Sequence, residues 1–169
     1  RLEDRLGCVN ALAFSREGRY LAIAADDARV WDCLLGRFAT GALGHDAPVH
    51  TVAFSARSDR LLTAAGDDLA RVFALPEVEG QARLLFEPVR HLRQFEIAGL
   101  TRSPLSWHPA FLDDDRGLLT VPTPTDVDWR DGRTGEKVHT LSASDRIASI
   151  EATQDGRYFA IADVWHLRV

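Results

Sequence analysis

Along this chain short bursts of alternating apolar and small or polar residues are separated by turns rich in Gly, Ser, Asp and Arg. In "VNALAFSREGRYLAIAADDARVWD", residues 9 to 32, alternation puts Val9, Ala11 and Ala13 on one face of a strand and Leu12 and Phe14 on the other. The pattern predicts strands at about 9–14, 20–25, 28–32 and 37–42, joined by the polar turns "SREG", "DD" and "CLLG". Both faces of the resulting sheet are apolar, so both have to be covered.

The pattern repeats. "VHTVAFSARSDRLLTAAGDD", at 49 to 68, lies under the first segment with Val9 on Val49, Phe14 on Phe54 and Leu21 on Leu61, each 40 residues apart. "IASIEATQDGRYFAIAD" returns near the end, where Ile147, Ile150, Gly156, Tyr158 and Ile161 follow Val9, Leu12, Gly18, Tyr20 and Ile23 at a constant offset of 138. A stretched copy lies between, with Leu118-Leu119-Thr120 standing where Leu61-Leu62-Thr63 stood. A period of about 40 residues built of four short strands predicts an all-β fold, a β-propeller of four-stranded antiparallel blades. Stacking the blades around an axis buries both faces of each one.

With "VWDCLLGR" at 30 to 37 and "DGRTGE" at 131 to 136, where Asp32 and Gly36 match Asp131 and Gly135, the chain resembles the WD-repeat β-propeller family over essentially all of its 169 residues. About four blades are expected, at 9–43, 49–86, 104–141 and 147–169, with residues 1–6 as an outer strand. The set reads as part of a larger propeller rather than a closed ring of four, and the lack of any methionine suggests a cut inside a longer chain. Departures from the family pattern are specific. Phe73 stands in place of its tryptophan and Ala74 of its aspartate, and Arg130 takes the tryptophan position in the third copy, with Trp129 one place early. The Gly-His that opens a repeat occurs as Gly44-His45 and is echoed by Arg90-His91, after which extra residues at 92–103 precede Trp107, which takes the place of Phe54.

The resemblance implies a hydrogen-bond network inside each blade, from a histidine, a strand-b hydroxyl, a turn aspartate and the strand-c tryptophan. The residues offered for it are Trp31, Asp27, His45, Asp68 and His91, with Ala64 and Phe73 occupying the hydroxyl and tryptophan places of the second blade. These networks look incomplete, so packing is expected to carry most of the stability.

Charge narrows the function. A net charge of -5, with Lys137 the sole lysine, argues against nucleic acid, whose backbone is bound by clustered cations. No apolar run approaches the length of a membrane helix, so no membrane partner is expected. Cys8 and Cys33 have no CxxC spacing, fall at opposite ends of one blade and are not expected to bridge; the expected address is cytoplasmic.

Candidate chemistry is sparse. His45 with Asp68 has the composition of a catalytic pair, but a blade network accounts for it, and Asp26-Asp27 and Asp67-Asp68 are turn formers. Asp113-Asp114-Asp115 lacks the spaced ligands and pivotal glycine of a calcium loop. Trp31, Trp107, Trp129 and Trp165 read as packing residues. No nucleophile elbow, zinc or phosphate-loop motif occurs, so no catalytic residues, metal or cofactor are expected.

One asymmetry suggests a partner. The loops before strand a and after strand b hold Asp26, Asp27, His45, Asp46, Asp67, Asp68, Asp126 and Asp163, while the opposite a–b turns hold Arg16, Arg19, Arg57, Arg60, Arg116 and Arg157. The first set is the expected partner-binding face, fitted to a basic protein or peptide. The expected function is a non-catalytic protein–protein interaction scaffold, or a sensing or docking module of a larger signalling protein, covalently continuous with further blades or domains. "RLLTAAGDDLARVF" and "FEPVRH" resemble WD-repeat arrays of bacterial multidomain signalling proteins, such as those fused to serine/threonine kinases. The alternatives are an enzymatic propeller, a hydrolase or lyase using its central channel, and a half-ring that pairs with another copy or with further blades.

Overall fold

A computed structural model describes residues 7–76, 81–91, 109–112, 116–153, 157–163 and 167–168. Residues 1–6, the 92–103 insertion, Trp107, Asp113 to Asp115, Gly156 and Trp165 lie outside them. Among the described residues there is no helix, and the strands form four separate antiparallel sheets, each a meander in chain order.

Blade 1 consists of β1 (Ala11–Phe14), β2 (Tyr20–Ala24), β3 (Ala28–Asp32) and β4 (Arg37–Phe38). Its fourth strand is far shorter than the pattern predicts. The Thr40 hydroxyl takes the Val30 amide at 3.0 Å, where a backbone carbonyl of a continuing strand would sit, and pairing resumes only at the Ala28–Leu43 bridge. Blade 2 consists of β5 (Val49–Phe54), β6 (Arg60–Ala65) and β7 (Leu69–Ala74), then a split fourth strand, β8 (Arg83–Leu84) and β9 (Val89–Arg90), both paired to β7.

Blade 3 runs β10 (Ala110–Leu112), β11 (Gly117–Thr123), β12 (Asp126–Asp131) and β13 (Lys137–Ser142). Blade 4 has β14 (Ile147–Ala152), β15 (Phe159–Asp163) and β16 (Leu167–Arg168).

The copies agree in detail. Cross-strand pairs Leu21–Trp31, Leu61–Phe73 and Leu118–Arg130 occupy one position, so Phe73 and Arg130 do stand where the first copy has its tryptophan. The Asp32 carboxylate accepts from the amides of Leu34 and Leu35, and that of Asp131 from Arg133 and Thr134, closing identical turns in which Gly36 and Gly135 take positive φ. The a–b turns share a device too. A hydroxyl at Ser15, Ser55 or Thr153 accepts the amide of Tyr20, Arg60 or Tyr158, respectively.

Three apolar layers hold the blades together. Ala22, Ala24 and Val30 of blade 1 meet Val52, Leu61 and Phe73 of blade 2. Leu62, Ala70 and Val72 meet Leu118 and Phe111 of blade 3. Leu119, Val121 and Val127 meet Ile147, Ile150 and Ile161 of blade 4, where Trp129 packs edge-on against Phe159 at 6.5 Å. Each fully buried aliphatic side chain in these layers contributes about 1.5–3 kcal/mol. The expected cover on both faces fails at Leu12 and Phe14 of blade 1, which are 60% and 65% exposed: among the described residues no sheet lies in front of them.

Candidate functional site

The loops at the d–a and b–c end of blades 1 and 2 converge. His45 lies on the loop into β5, and its Nδ1 is 2.6 Å from the Leu43 carbonyl while its Nε2 is 2.8 Å from the Thr63 hydroxyl. The neutral ring therefore donates from Nδ1 and accepts at Nε2. Burial, reinforced by the nearby Arg71 cation, holds its pKa below the ordinary value, in keeping with that neutral form. With both nitrogens engaged, His45 is a structural tie rather than a proton carrier.

This corrects one sequence expectation. The strand-b hydroxyl comes from Thr63, not from position 64, where Ala64 stands. Side chains alternate along β6, so Leu61 and Thr63 share the face toward blade 1, and Phe73, opposite Leu61, lies against the His45 ring at 5.8 Å on that same face. Ala64 belongs to the other face.

Arg71, which sequence reasoning passed over, is the cation of this cluster. Its side chain is only 7% exposed and pairs with Asp67 at 2.7 Å and more distantly with Asp46 at 3.7 Å. Burial pushes the Asp67 carboxyl up, but the Arg71 hydrogen bond and charge outweigh it and hold the pKa below the usual range. The signal available was its position: Arg71 is the cross-strand partner of Thr63 and so must lie on the histidine's face.

The other expected residues divide clearly. Asp27 pairs with Arg29 at 3.2 Å, and Trp31 packs edge-on against Phe38 at 5.1 Å. Asp68 is exposed at a φ of 59°, and its carbonyl accepts the His91 amide at 2.9 Å. His91 is buried and its Nδ1 accepts the Val121 amide at 3.0 Å, so it joins blade 2 to blade 3. Asp126 and Asp163 are each held by hydroxyl groups. Asp126 accepts from Thr123 and Ser142 at 2.6 and 2.7 Å, bonds that lower its pKa, while buried Asp163 accepts from Ser144 at 2.8 Å. Of the eight face residues, Asp26, Asp46 and Asp68 are the exposed ones.

On the opposite a–b side the arginines are partly committed. Arg60 reaches across to the Gly132 carbonyl at 2.8 Å and lies over the Phe111 ring, while Arg19 pairs with Asp32 at 2.8 Å. Arg130 fills the missing tryptophan's place with polar bonds, to Asp128 at 2.8 Å and the Thr120 hydroxyl at 3.2 Å. Cys8 and Cys33 are free and exposed, and among the described residues no three His, Cys, Asp or Glu side chains are grouped to hold a metal.

Residues 38–73, from Phe38 in β4 to Phe73 in β7, match the family "WD domain, G-beta repeat". No curated protein matches the sequence. Among solved structures the chain is similar to the Cps50 (Swd1) beta-propeller domain of Myceliophteria thermophila, at 15% identity and a TM-score of 0.68, over 93% of this chain and 50% of that one. The chain thus spans about half the length of that solved chain. WD-repeat propellers are in general non-enzymatic platforms for binding proteins or peptides. The meandering blades and the structural likeness make the fold that of a β-propeller, and the repeat match supports its place in the WD-repeat family.

Proposed function

We propose that this chain is a docking module of a larger cytoplasmic signalling protein, continuous with further blades or domains, whose d–a and b–c loops receive a basic peptide or protein segment. The observation that carries the reading is the division of labour among the acids. Asp27 and Asp67 neutralise Arg29 and Arg71 within the blades, whereas Asp26, Asp46 and Asp68 project at the same loop end. Rigid strands below them keep these charges in place, as a recognition surface requires. Two free, exposed cysteines suit a reducing compartment, and the arginine-rich repeat phrases support a bacterial kinase-fused context.

The test is a titration with an arginine-rich peptide and an acidic peptide of equal length. The basic peptide should bind selectively and more weakly as salt rises. The triple variant Asp26→Asn, Asp46→Asn, Asp68→Asn should bind it at least tenfold more weakly, a loss of about 1.4 kcal/mol. Equal binding of both peptides, or an unchanged triple variant, would refute the acidic face.

A further inference from the structure

The turn that joins β3 to β4 is closed by its own hydrogen bonds. The Cys33 amide donates to the Arg19 carbonyl at 2.8 Å and the Gly36 amide to the Asp32 carbonyl at 2.9 Å. One oxygen of the Asp32 carboxylate accepts from the amides of Leu34 and Leu35 at 2.9 and 3.0 Å, and the other takes the Arg19 guanidinium at 2.8 and 3.0 Å. Asp32 itself is buried. What this rigid frame holds out is apolar. Leu34 is 78% and Leu35 51% exposed, and Leu34 is the most exposed large hydrophobic side chain among the described residues.

The frame does not require leucine. Blade 3 closes the same turn from Asp131 and carries Arg133 and Thr134 at the two positions. Both are exposed although blade 3 packs against blade 2 on one side and blade 4 on the other, so exposure belongs to the tip of the turn and not to the place of blade 1 in the chain. A further blade ahead of blade 1 would leave Leu34 and Leu35 as open as blade 2 leaves Arg133 and Thr134. The backbone beneath the two leucines is already ordered, so a partner that covers them meets little ordering cost.

Charge names the kind of partner. Because each sheet is a meander, the c–d turn emerges at the same end as the a–b turn, away from the acidic loops. At this end of blade 1, Arg16, Arg19 and Arg37 stand against Glu17 and the buried Asp32. Arg37 follows the turn directly as the cross-strand partner of Asp32, and the Arg19 side chain is 43% exposed. The turn is thus an apolar tip with a cationic rim, in a chain whose net charge is -5. We propose that this tip docks an acidic amphipathic segment of a partner protein, whose apolar stripe covers Leu34 and Leu35 while its carboxylates face Arg19 and Arg37. The site lies at the opposite end of the strands from the loops that receive a basic segment, so one propeller holds two partners of opposite charge.

Fluorescence anisotropy with a labelled amphipathic helical peptide of leucine and glutamate tests it. The controls are a leucine–glutamine peptide without charge, a glutamate–serine peptide without leucine, and phosphatidylglycerol vesicles. The chain should bind the leucine–glutamate peptide tighter than either control peptide by about tenfold, and less tightly as salt rises. Leu34→Arg with Leu35→Thr, the pair that blade 3 carries in the same turn, should weaken binding by about tenfold while circular dichroism and melting show a folded chain. Arg37→Gln, which leaves both leucines in place, should also weaken binding and flatten its salt dependence, and it decides the matter if the double variant does not fold. Equal binding of the three peptides overturns the proposal, as does a folded double variant that binds like wild type. Capture by the vesicles without binding of the peptide overturns it in favour of a bilayer. The variant Asp26→Asn, Asp46→Asn, Asp68→Asn should bind the leucine–glutamate peptide as wild type does, so the two proposals fail separately.

Discussion

The Nε2 of His45 and the hydroxyl of Thr63 lie 2.8 Å apart, a bond that fastens the loop into blade 2 to that blade's second strand. Thr63 is fully buried, so its removal strands a ring nitrogen away from water. Thr63→Val should lower the stability to urea unfolding by about 1–2 kcal/mol, and adding Ala64→Ser should recover none of it.

Acid should act in two windows. The folded-state pKa of His45 lies below its ordinary 6.5 because burial disfavours the charged ring. Its contribution is therefore complete above 6.5 and is lost as pH falls through that value toward the folded one, because the unfolded chain takes up the proton first. Asp67, Asp126 and Asp131 are held below 3.8, so their contribution persists above that value and disappears as pH drops beneath it. Urea midpoints measured against pH should show both declines, and His45→Gln should remove the upper one alone.

Gly117 opens β11 directly beneath the Trp129 ring. A Cβ there would stand 2.7 Å from the indole Nε1 and 3.1 Å from the Leu112 Cβ. Gly117→Ala should displace Trp129 from Phe159, destabilise the chain by about 1–3 kcal/mol, and change the tryptophan fluorescence.

Ser58 sits in the left-handed region at a φ of 58°, where the first copy has Gly18 at 74°. Its hydroxyl offsets that strain by donating to Glu17 at 2.8 Å and accepting the Arg16 amide at 3.4 Å, both across the blade 1 boundary. Ser58→Gly exchanges those bonds for relief of strain and should alter the melting free energy by less than about 0.5 kcal/mol. Ser58→Ala keeps the strain, loses the bonds, and should be less stable by about 1–2 kcal/mol.

The blades were legible because a repeat displays its own period: Val9 on Val49 and Leu21 on Leu61 expose a unit that no single strand would reveal. The tight turns at Asp32 and Asp131 were legible for the same reason. Three features were not. Counting from the repeat alone brought Ala64 into the hydroxyl position, whereas alternation from Leu61, the partner of Phe73, leads to Thr63. The broken fourth strand of blade 1 turns on a side-chain bond, from the Val30 amide to Thr40, which leaves no trace in hydrophobic pattern. Exposure of Leu12 and Phe14 follows from what stands in front of blade 1, a property of the assembly rather than of the strand. At the candidate face, composition marked the aspartates, but only burial and distance separate Asp67, held 2.7 Å from Arg71, from exposed Asp46, 3.7 Å from the same cation.

The interrupted rims of blades 1 and 2 carry a mechanical consequence. β2 and β6 are paired on both sides without a break in the ladder to the next strand, while β4, β8 and β9 hold on by two residues each. Amide protons on the perimeter should exchange with solvent long before those of the inner strands. Under heat blades 1 and 2 should therefore loosen from their outer strands inward, whereas β13 of blade 3, paired along its length, should hold to the end.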